Sequence, residues 1–209
     1  MKFNQFKNKI ASLKAKGLGG LDAQFKLAPE LRLRYDADTI KASNPRKAAV
    51  LALFYPNGKE ETTFILTERA SYKGTHSAQI SFPGGKIDKT DINLQETALR
   101  EAFEEIGVLP KSVEIIRELT DVYIPPSNFL ATPFIGFSAE KPFFVTNYEV
   151  ENTIEVLLED LLNETSLSTV NLSTSYMDNI DVPCFKLNGY VVWGATAMML
   201  SEIKELLKH

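Results

Sequence analysis

The segment from Leu94 to Ile106 constrains the fold more than any other part of the chain. Its apolar residues recur at every fourth position, which is the spacing of one face of an α-helix: Leu94, Ala98, Ala102 and Ile106. Gly107 follows where a helix C-terminal cap is expected. A helix with one apolar face buries that face against another layer, so the chain must supply a sheet or further helices beside it.

Strand patterns upstream of this helix supply that layer. KAAVLALFY, from Lys47, and TTFILTER, from residue 62, are rich in strand formers, and the turn sequence PNG separates them. This arrangement predicts a β-hairpin. Residues 79–82 predict a short strand, which Pro83-Gly84-Gly85 ends, and two consecutive glycines let the backbone approach a ligand closely.

The rest of the chain predicts alternating strands and helices in one α/β sandwich. We expect an N-terminal helix over residues 4–16, strands at VEIIREL and ATPFIGFSA with the loop YIPPSNF between them, a helix over 155–163, strands at 184–187 and 190–193, and a last helix over 195–208. We predict an N-terminal helical extension over residues 1–40 and one domain over residues 41–209.

Composition excludes several classes of protein. Hydrophobic residues make up 44% of the 209 residues and charged residues 24%, as in ordinary globular proteins. The formal charge of −4 disfavours binding to a nucleic-acid polymer. No apolar run is long enough to span a membrane, the lysine-rich start does not resemble a signal peptide, and the single cysteine, Cys184, fits a reducing compartment. We therefore expect a cytoplasmic protein.

Three glutamates in the sequence REAFEEIG carry the expected chemistry. Glu101, Glu104 and Glu105 stand at positions i, i+3 and i+4 of the helix, so they project from one side of it. Such a cluster is either a solvated acidic face or a site for a hard divalent cation, which prefers oxygen ligands. The preceding glycine turn favours the cation, because backbone donors and carboxylates can converge there. Arg100 is placed to pair with an acid of the preceding loop.

These residues resemble the signature of the Nudix hydrolase family. The signature has Gly, five residues, Glu, seven residues, then Arg-Glu-apolar-any-Glu-Glu-any-Gly-apolar, and the chain matches it at Gly85 and throughout residues 100–108. It departs at the loop acid, where Asp91 replaces Glu and eight residues separate it from Arg100. Asp88, Asp91 and Glu96 are all open as the partner of Arg100.

The resemblance implies a Nudix-type α/β/α sandwich with a mixed central sheet. It also implies hydrolysis of a small-molecule diphosphate, in which a metal-activated water attacks phosphorus. Glu101, Glu104 and Glu105 are then ligands of Mg²⁺ or Mn²⁺, or one of them is the base, and Arg100 belongs to the same catalytic group.

The segment before the glycine turn resembles the coenzyme A pyrophosphatase branch of this family. Leu66, Thr67, Arg69 and Ala70 match its motif, as does the following Phe-Pro-Gly-Gly sequence at residues 82–85. Gly74 stands where the branch has arginine, and Ala78 where it has glycine. YIPPSNFLATPFIGF and VVWGATAMML also resemble stretches of the branch, so the likeness covers residues 47–200.

This branch implies cleavage of coenzyme A to 3′,5′-ADP and 4′-phosphopantetheine. The substrate-binding residues implied are Arg69, Lys73, Phe82, Gly84 and Gly85, and Glu149 is an additional acid weighed as a base or as part of a solvated face. Two alternatives stay open: a Nudix hydrolase of another nucleoside diphosphate derivative, and a Nudix-fold binding protein without activity. The sequence allows a homodimer without specifying one.

Overall fold

A mixed β-sheet forms the centre of the protein. The structure is a computed structural model that describes residues 1–70, 79–174 and 177–208. Within these ranges the large sheet contains eight strands: β1 (Arg46–Pro56), β2 (Thr62–Arg69), β3 (Ile80–Ser81), β4 (Gly84–Lys86), β5 (Glu114–Glu118), β6 (Val122–Ile124), β7 (Phe129–Phe137) and β8 (Val150–Leu157).

The predicted hairpin is the core of this sheet. β1 and β2 pair antiparallel, with Phe54 opposite Phe64. On its other edge β1 pairs with β7 in parallel, from Arg46 opposite Phe129 to Phe54 opposite Phe137. β4 also pairs with β1, β3 and β8 pair with β2, and β5 and β6 pair with β7, all antiparallel. The prediction of a mixed sheet is thus confirmed.

Helices cover both faces of the sheet, as expected for an α/β/α sandwich. In chain order the helices are α1 (Phe3–Ala15), α2 (Gly20–Phe25), α3 (Glu30–Leu33), α4 (Ala37–Ala42), α5 (Leu94–Ile106), α6 (Leu158–Leu162) and α7 (Gly194–Lys208). Helix α5 buries Ala98, Ala102 and Ile106 in one core cluster with Leu51 and Leu53 of β1. The opposite face of the sheet shares a second core with α1 and α7.

A small antiparallel sheet lies outside the central one. Its strands are β9 (Leu167–Thr174), β10 (Met177–Leu187) and β11 (Tyr190–Trp193). β11 leads directly into α7, whose apolar side lies in the same core as Phe185 and Val192. The strands expected at 184–187 and 190–193 are confirmed. β9 was not predicted, because its serine- and threonine-rich sequence alternates between exposed and half-buried positions and lacks an apolar face.

The prediction of a helix over residues 155–163 is wrong for residues 155–157. Residues 150–157 form β8, where Val150, Ile154 and Val156 are buried and the intervening positions are more exposed. That period of two matches a strand whose one face is buried, and pairing with β2 satisfies its backbone. Only Leu158–Leu162 is helical. The acidic residues suggested a helix, and the tertiary pairing outweighed that preference.

The N-terminal helices pack into the main core. The ring of Phe6 stacks on Phe54 of β1 with centroids 5.0 Å apart, and Phe3 lies 6.4 Å from Phe137. The side chains of Phe3 and Phe6 are both buried. The helix predicted over residues 4–16 is therefore confirmed as α1, whereas α2, α3 and α4 carry too few turns to leave a periodic pattern.

Candidate active site

Helix α5 is fixed at both ends by local capping. The side chain of Asn93 accepts a hydrogen bond from the Glu96 N–H at 2.9 Å, which satisfies one of the free donors of the first turn. At the other end Gly107 adopts φ 74°, and its N–H donates to the Phe103 carbonyl at 2.9 Å. The predicted glycine cap is thus confirmed, and the helix presents its glutamates in a defined orientation.

Asp91 is the partner of Arg100. Arg100 Nε donates to Asp91 Oδ1 at 2.8 Å and Nη2 donates to Oδ2 at 2.9 Å, which is a bidentate ion pair. Asp91 Oδ2 also accepts from Thr97 Oγ1 and from the Asp88 N–H. The hydrogen bonds from Arg100 hold the pKa of Asp91 well below its usual range. Of the three acids left open by the sequence, the structure selects this one.

The other two loop acids have local roles. Asp88 accepts hydrogen bonds from the backbone and the hydroxyl of Thr90, which stabilises the turn after β4. Glu96 accepts from the Ile92 N–H. Neither forms an ion pair with Arg100 in the described part of the chain. Both carboxylates therefore order the loop and the start of α5.

The remaining donors of Arg100 connect the glutamates to the glycine loop. Nη1 donates to Glu101 Oε1 at 2.9 Å and to Glu104 Oε2 at 3.1 Å, and Nη2 also reaches the Lys86 carbonyl at 3.2 Å. The guanidinium of Arg100 therefore contacts Asp91 of the loop, Glu101 and Glu104 of α5, and the backbone of β4. It is a positioning group in this arrangement, because its fork fixes where each carboxylate points.

The glycine loop lies directly on the glutamates of α5. The Gly84 N–H donates to Glu105 Oε2 at 3.0 Å. A Cβ atom at Gly85 would stand 2.6 Å from the carboxylate of Glu101, and one at Gly84 would stand 2.3 Å from the Ala49 carbonyl oxygen. Gly84 also has φ 156°, so both its conformation and its surroundings require glycine. A backbone donor and the carboxylates therefore converge here, as the glycine turn suggested, while the approach of this backbone to a ligand stays a prediction.

The surroundings of Glu101 and Glu105 disfavour the ionised form of both carboxyl groups. Burial raises the pKa of Glu105 to about 7, and the nearby charges of Glu101 and Glu149 act in the same direction. Burial also raises the pKa of Glu101, although its contact with Arg100 opposes that effect. Glu104 is about half exposed. Partly desolvated carboxylates near one another are stabilised by a cation at their side.

Glu149 joins this group from a distant part of the chain. It lies just before β8, and its Oε2 is 3.6 Å from Nη2 of Arg69 at the end of β2. The Ala70 N–H donates to the Glu149 carbonyl at 2.9 Å, which holds the two segments together. Glu149 raises the pKa of Glu101 and Glu105, and Arg69 lowers that of Glu105. Sequence spacing gives no signal for this convergence, because tertiary pairing alone produces it.

The donor set fits a hard divalent cation. Glu101, Glu104, Glu105 and Glu149 offer carboxylate oxygens only, the ligands that Mg²⁺ and Mn²⁺ prefer. Across the described residues, no three acidic, histidine or cysteine side chains already gather around one point as a preformed metal site. Arg100 bonds to Glu101 through Oε1 and to Glu104 through Oε2, so the other oxygen of each carboxylate is not used by this arginine. Burial raises the pKa values of Glu101 and Glu105, which means that their charged forms are disfavoured, and a cation beside them would stabilise those charges.

The remaining predicted substrate-binding residues differ in exposure. Arg69 exposes 68% of its side chain and lies beside Glu149, where it is open to an anionic ligand. Phe82 exposes 2% of its surface and packs near Phe64, so it has little surface to offer a ligand. Lys73, Gly74 and Ala78 lie outside the described residues. The roles of all these residues in substrate binding stay predictions.

Comparison with known proteins defines the class of this protein. The family model of the NUDIX domain matches residues 45–165, which is more than half of the chain. The chain belongs to the Nudix family, and it is a pyrophosphohydrolase that acts on a small nucleoside diphosphate derivative. Nudix hydrolases generally use divalent metal ions, which agrees with the all-oxygen site on α5.

Curated relatives carry the name of one particular Nudix protein. The chain is 34% identical over 161 residues to the uncharacterized Nudix hydrolase NudL of Enterobacter sp. (strain 638), covering 77% of this chain and 82% of that protein. It is 28% identical over 165 residues to NudL of Yersinia pestis (strain Pestoides F), covering 78% and 80% respectively. The name NudL defines no substrate.

A solved structure supports the fold alone. The MutT/nudix family protein from Enterococcus faecalis superposes with a TM-score of 0.52 at 14% sequence identity, covering 78% of this chain and 62% of that one. The Nudix fold predicted from the sequence is confirmed. None of the helices in the described residues is long and apolar enough to cross a membrane.

Proposed function

We propose that the protein hydrolyses the diphosphate linkage of coenzyme A or its acyl derivatives to 3′,5′-ADP and 4′-phosphopantetheine or its acyl form. The observation that carries the proposal is the position of Arg69. This arginine belongs to the segment that resembles the coenzyme A pyrophosphatase branch, and it faces Glu149 and Glu105 beside the glycine loop. The helix to which we assign the cation and the arginine to which we assign phosphate binding lie beside one another, which supports the proposal.

The glutamates of α5 are assigned to the metal. Glu101, Glu104 and Glu105 would hold Mg²⁺ or Mn²⁺, and either ion supplies charge neutralisation and an activated water when bound. Arg100 keeps Glu101 and Glu104 oriented through its pair with Asp91. Glu149 supplies a further carboxylate that acts as a ligand or as a base.

Separate groups of this chain bind the substrate. Arg69 donates to phosphoryl oxygens, and Lys73 is assigned the same role from the sequence motif. Gly84 and Gly85 are assigned to the substrate-binding loop from the sequence motif, and the absence of a side chain at Gly85 lets this loop lie against the carboxylate of Glu101. The guanidinium of Arg69 is suited to this contact because its planar donors match two oxygens of one phosphate.

A substrate panel tests the proposal. Purified protein is incubated with Mg²⁺ or Mn²⁺ and coenzyme A, acetyl-coenzyme A, ADP-ribose, a dinucleoside polyphosphate or a nucleoside triphosphate, and the products are separated by chromatography. We expect metal-dependent release of 3′,5′-ADP from coenzyme A at the highest kcat/KM of the panel. Turnover of ADP-ribose or a triphosphate without turnover of coenzyme A would overturn the proposal.

A second candidate function follows from the two departures from the branch motif. Gly74 and Ala78 replace its arginine and glycine, which favours a different nucleoside diphosphate derivative as substrate. The same panel distinguishes the two. If no diphosphate is hydrolysed with either metal, the protein is a Nudix-fold binding protein. Three further predictions are also part of the proposed function. They are a cytoplasmic location, a homodimer, and an N-terminal helical extension that ends at residue 40.

A further inference from the structure

A buried arginine without a carboxylate partner lies away from the glutamate helix. Arg32 of α3 is 4% exposed, and its Nη1 donates to the Tyr35 carbonyl at 2.9 Å. Its guanidinium lies 5.2 Å from the ring centre of Phe25 and 5.9 Å from that of Tyr123. Among the described residues the buried Nε has no hydrogen-bond acceptor. A buried cation with so few partners is costly, and an anion would relieve that cost.

Arg32 lines a cavity of about 50 Å³, several times the roughly 10–15 Å³ that one water needs. The cavity walls also include Tyr123, Pro125 and Trp193, and none of its described lining residues carries a carboxylate. Gly194 and Ala195, the first residues of α7, form part of the wall. The first N–H groups of a helix have no acceptor within it and attract anions.

A second cavity, of about 160 Å³, adjoins the first. The two share Ile124, Trp193, Gly194 and Ala195, and the second reaches Ser81 of β3. Its lining residues carry no charged side chain in the described part of the chain. Trp193 therefore stands between a small cationic compartment and a larger uncharged one. A flat ring can pack against an indole in the larger compartment while an attached anion reaches Arg32.

We infer that these joined cavities bind a phosphate monoester carried on a planar group, with the phosphate between Arg32 and the first turn of α7. The guanidinium fork and the helix amides supply complementary donors for phosphate oxygens. The site goes beyond the proposed function, because binding there requires neither metal nor turnover. The phosphate belongs either to the substrate itself or to a separate phosphorylated molecule.

The single tryptophan of the chain makes the site observable. Inorganic phosphate and 3′,5′-ADP are titrated into metal-free protein, with potassium chloride at matched ionic strength as the blank, and the fluorescence of Trp193 is followed. We expect a saturable change in the wild-type protein. Arg32→Met should weaken the apparent affinity at least tenfold, whereas Arg34→Met should not change it, because Arg34 is exposed and pairs with Glu30.

A second variant covers the case in which Arg32→Met fails to fold. Ala195→Asp places a carboxylate at the start of α7, where a negative charge is favourable for the helix and repels a bound phosphate. It should abolish the response while the thermal unfolding midpoint stays near that of the wild type. Absence of a saturable response in the wild-type protein, or wild-type affinity in both Arg32→Met and Ala195→Asp, would overturn the inference.

A kinetic comparison distinguishes the two sources of the phosphate. The ratio of kcat/KM for coenzyme A to that for its analogue without the 3′-phosphate is measured in the wild type and in Arg32→Met. A ratio that falls at least tenfold assigns the site to the substrate's own phosphate. An unchanged ratio, together with the fluorescence response, assigns it to a separate phosphate ester.

Discussion

Asp91 and Arg100 form a bidentate ion pair, with both donor–acceptor distances below 3 Å, across the turn that joins the glycine loop to α5. Aspartate is one methylene shorter than the glutamate usual in the signature, and one additional residue separates it from the arginine. The loop nevertheless brings its carboxylate to the guanidinium, with Thr97 and the Asp88 backbone as further donors. Asp91 therefore keeps the ion pair with Arg100, although both its side-chain length and its spacing differ from the signature.

Substitution of Asp91 by Asn should destabilise the protein and disorder the glutamates. The amide cannot accept two charge-assisted hydrogen bonds from Arg100, and we expect the free energy of unfolding to fall by about 1–2 kcal/mol. Urea denaturation followed by circular dichroism measures this loss. Asp38→Asn, at an exposed position of α4, is the matched control and should be neutral. Equal stability of the two variants would contradict the assigned role.

The contribution of Asp91 to stability should depend on pH in one direction. The pKa of Asp91 is lower in the folded protein than the value of about 3.9 expected in the unfolded chain. Its stabilising effect is therefore fully present above about pH 5 and is lost as the pH falls through 4 toward the folded pKa. We expect the stability difference between wild type and Asp91→Asn to shrink from pH 6 to pH 3. A difference that grows on acidification would refute this assignment.

The two adjacent glycines should respond differently to alanine. At Gly84 the new Cβ would meet the backbone of Ala49 and Val50, which cannot move without disturbing β1. We expect Gly84→Ala to lower the unfolding midpoint by at least several degrees. At Gly85 the atoms displaced are the carboxylate of Glu101, at the end of a flexible side chain. Gly85→Ala should leave the fold intact and reduce metal-dependent turnover.

Parallel measurements of thermal unfolding and of activity distinguish these outcomes. Gly58→Ala is the control, because a Cβ atom there meets nothing within 4 Å. The packing of the glycine loop on the glutamates would be refuted if Gly85→Ala retained full activity.

Replacement of Glu105 by Gln should abolish most activity without unfolding the protein. The amide oxygen can still accept from the Gly84 N–H, but the negative charge that a divalent cation requires is gone. We expect kcat/KM to fall at least about 100-fold, which corresponds to about 2.7 kcal/mol of transition-state stabilisation. Glu140→Gln, at an exposed position, should behave as wild type. Full activity of Glu105→Gln would remove it from the metal site.

Truncation of Phe6 tests whether the N-terminal region is a detachable extension. Its ring is fully buried and stacks on Phe54 of the central strand. We expect Phe6→Ala to cost about 3–5 kcal/mol of unfolding free energy, the usual range for a large core side chain. Asn8→Ala, on the exposed side of α1, should cost little. A small effect of Phe6→Ala would support an extension that folds independently of the core.

The sequence was most informative where local pattern and tertiary structure agree. The period of α5, its glycine cap and the hairpin of β1 and β2 were all predicted, because amphipathic spacing and turn residues act within a few positions. The loop acid could not be chosen, since Asp88, Asp91 and Glu96 all lie within reach of Arg100 along the chain. Only the folded turn separates them.

Long-range relationships were the part that the sequence could not supply. Glu149 reaches the glutamates of α5 because β8 pairs with β2, and the last three residues of β8, 155–157, were predicted to be helical. The cavity at Arg32 is likewise formed by three segments that are far apart in the chain: α3, the β6 region and α7. No spacing rule connects such residues, so sites of this kind emerge only from the assembled fold.

The parallel pairing of β1 with β7 has a consequence for how the protein folds. The central strand of the sheet acquires one neighbour only after more than seventy further residues have been synthesised, since Arg46 lies opposite Phe129. Contacts of such high sequence separation slow folding, because a long loop must close before they form. During translation one edge of β1 therefore has no partner strand until residues 129–137 have been synthesised, and an unpaired strand edge of this kind can pair with another chain.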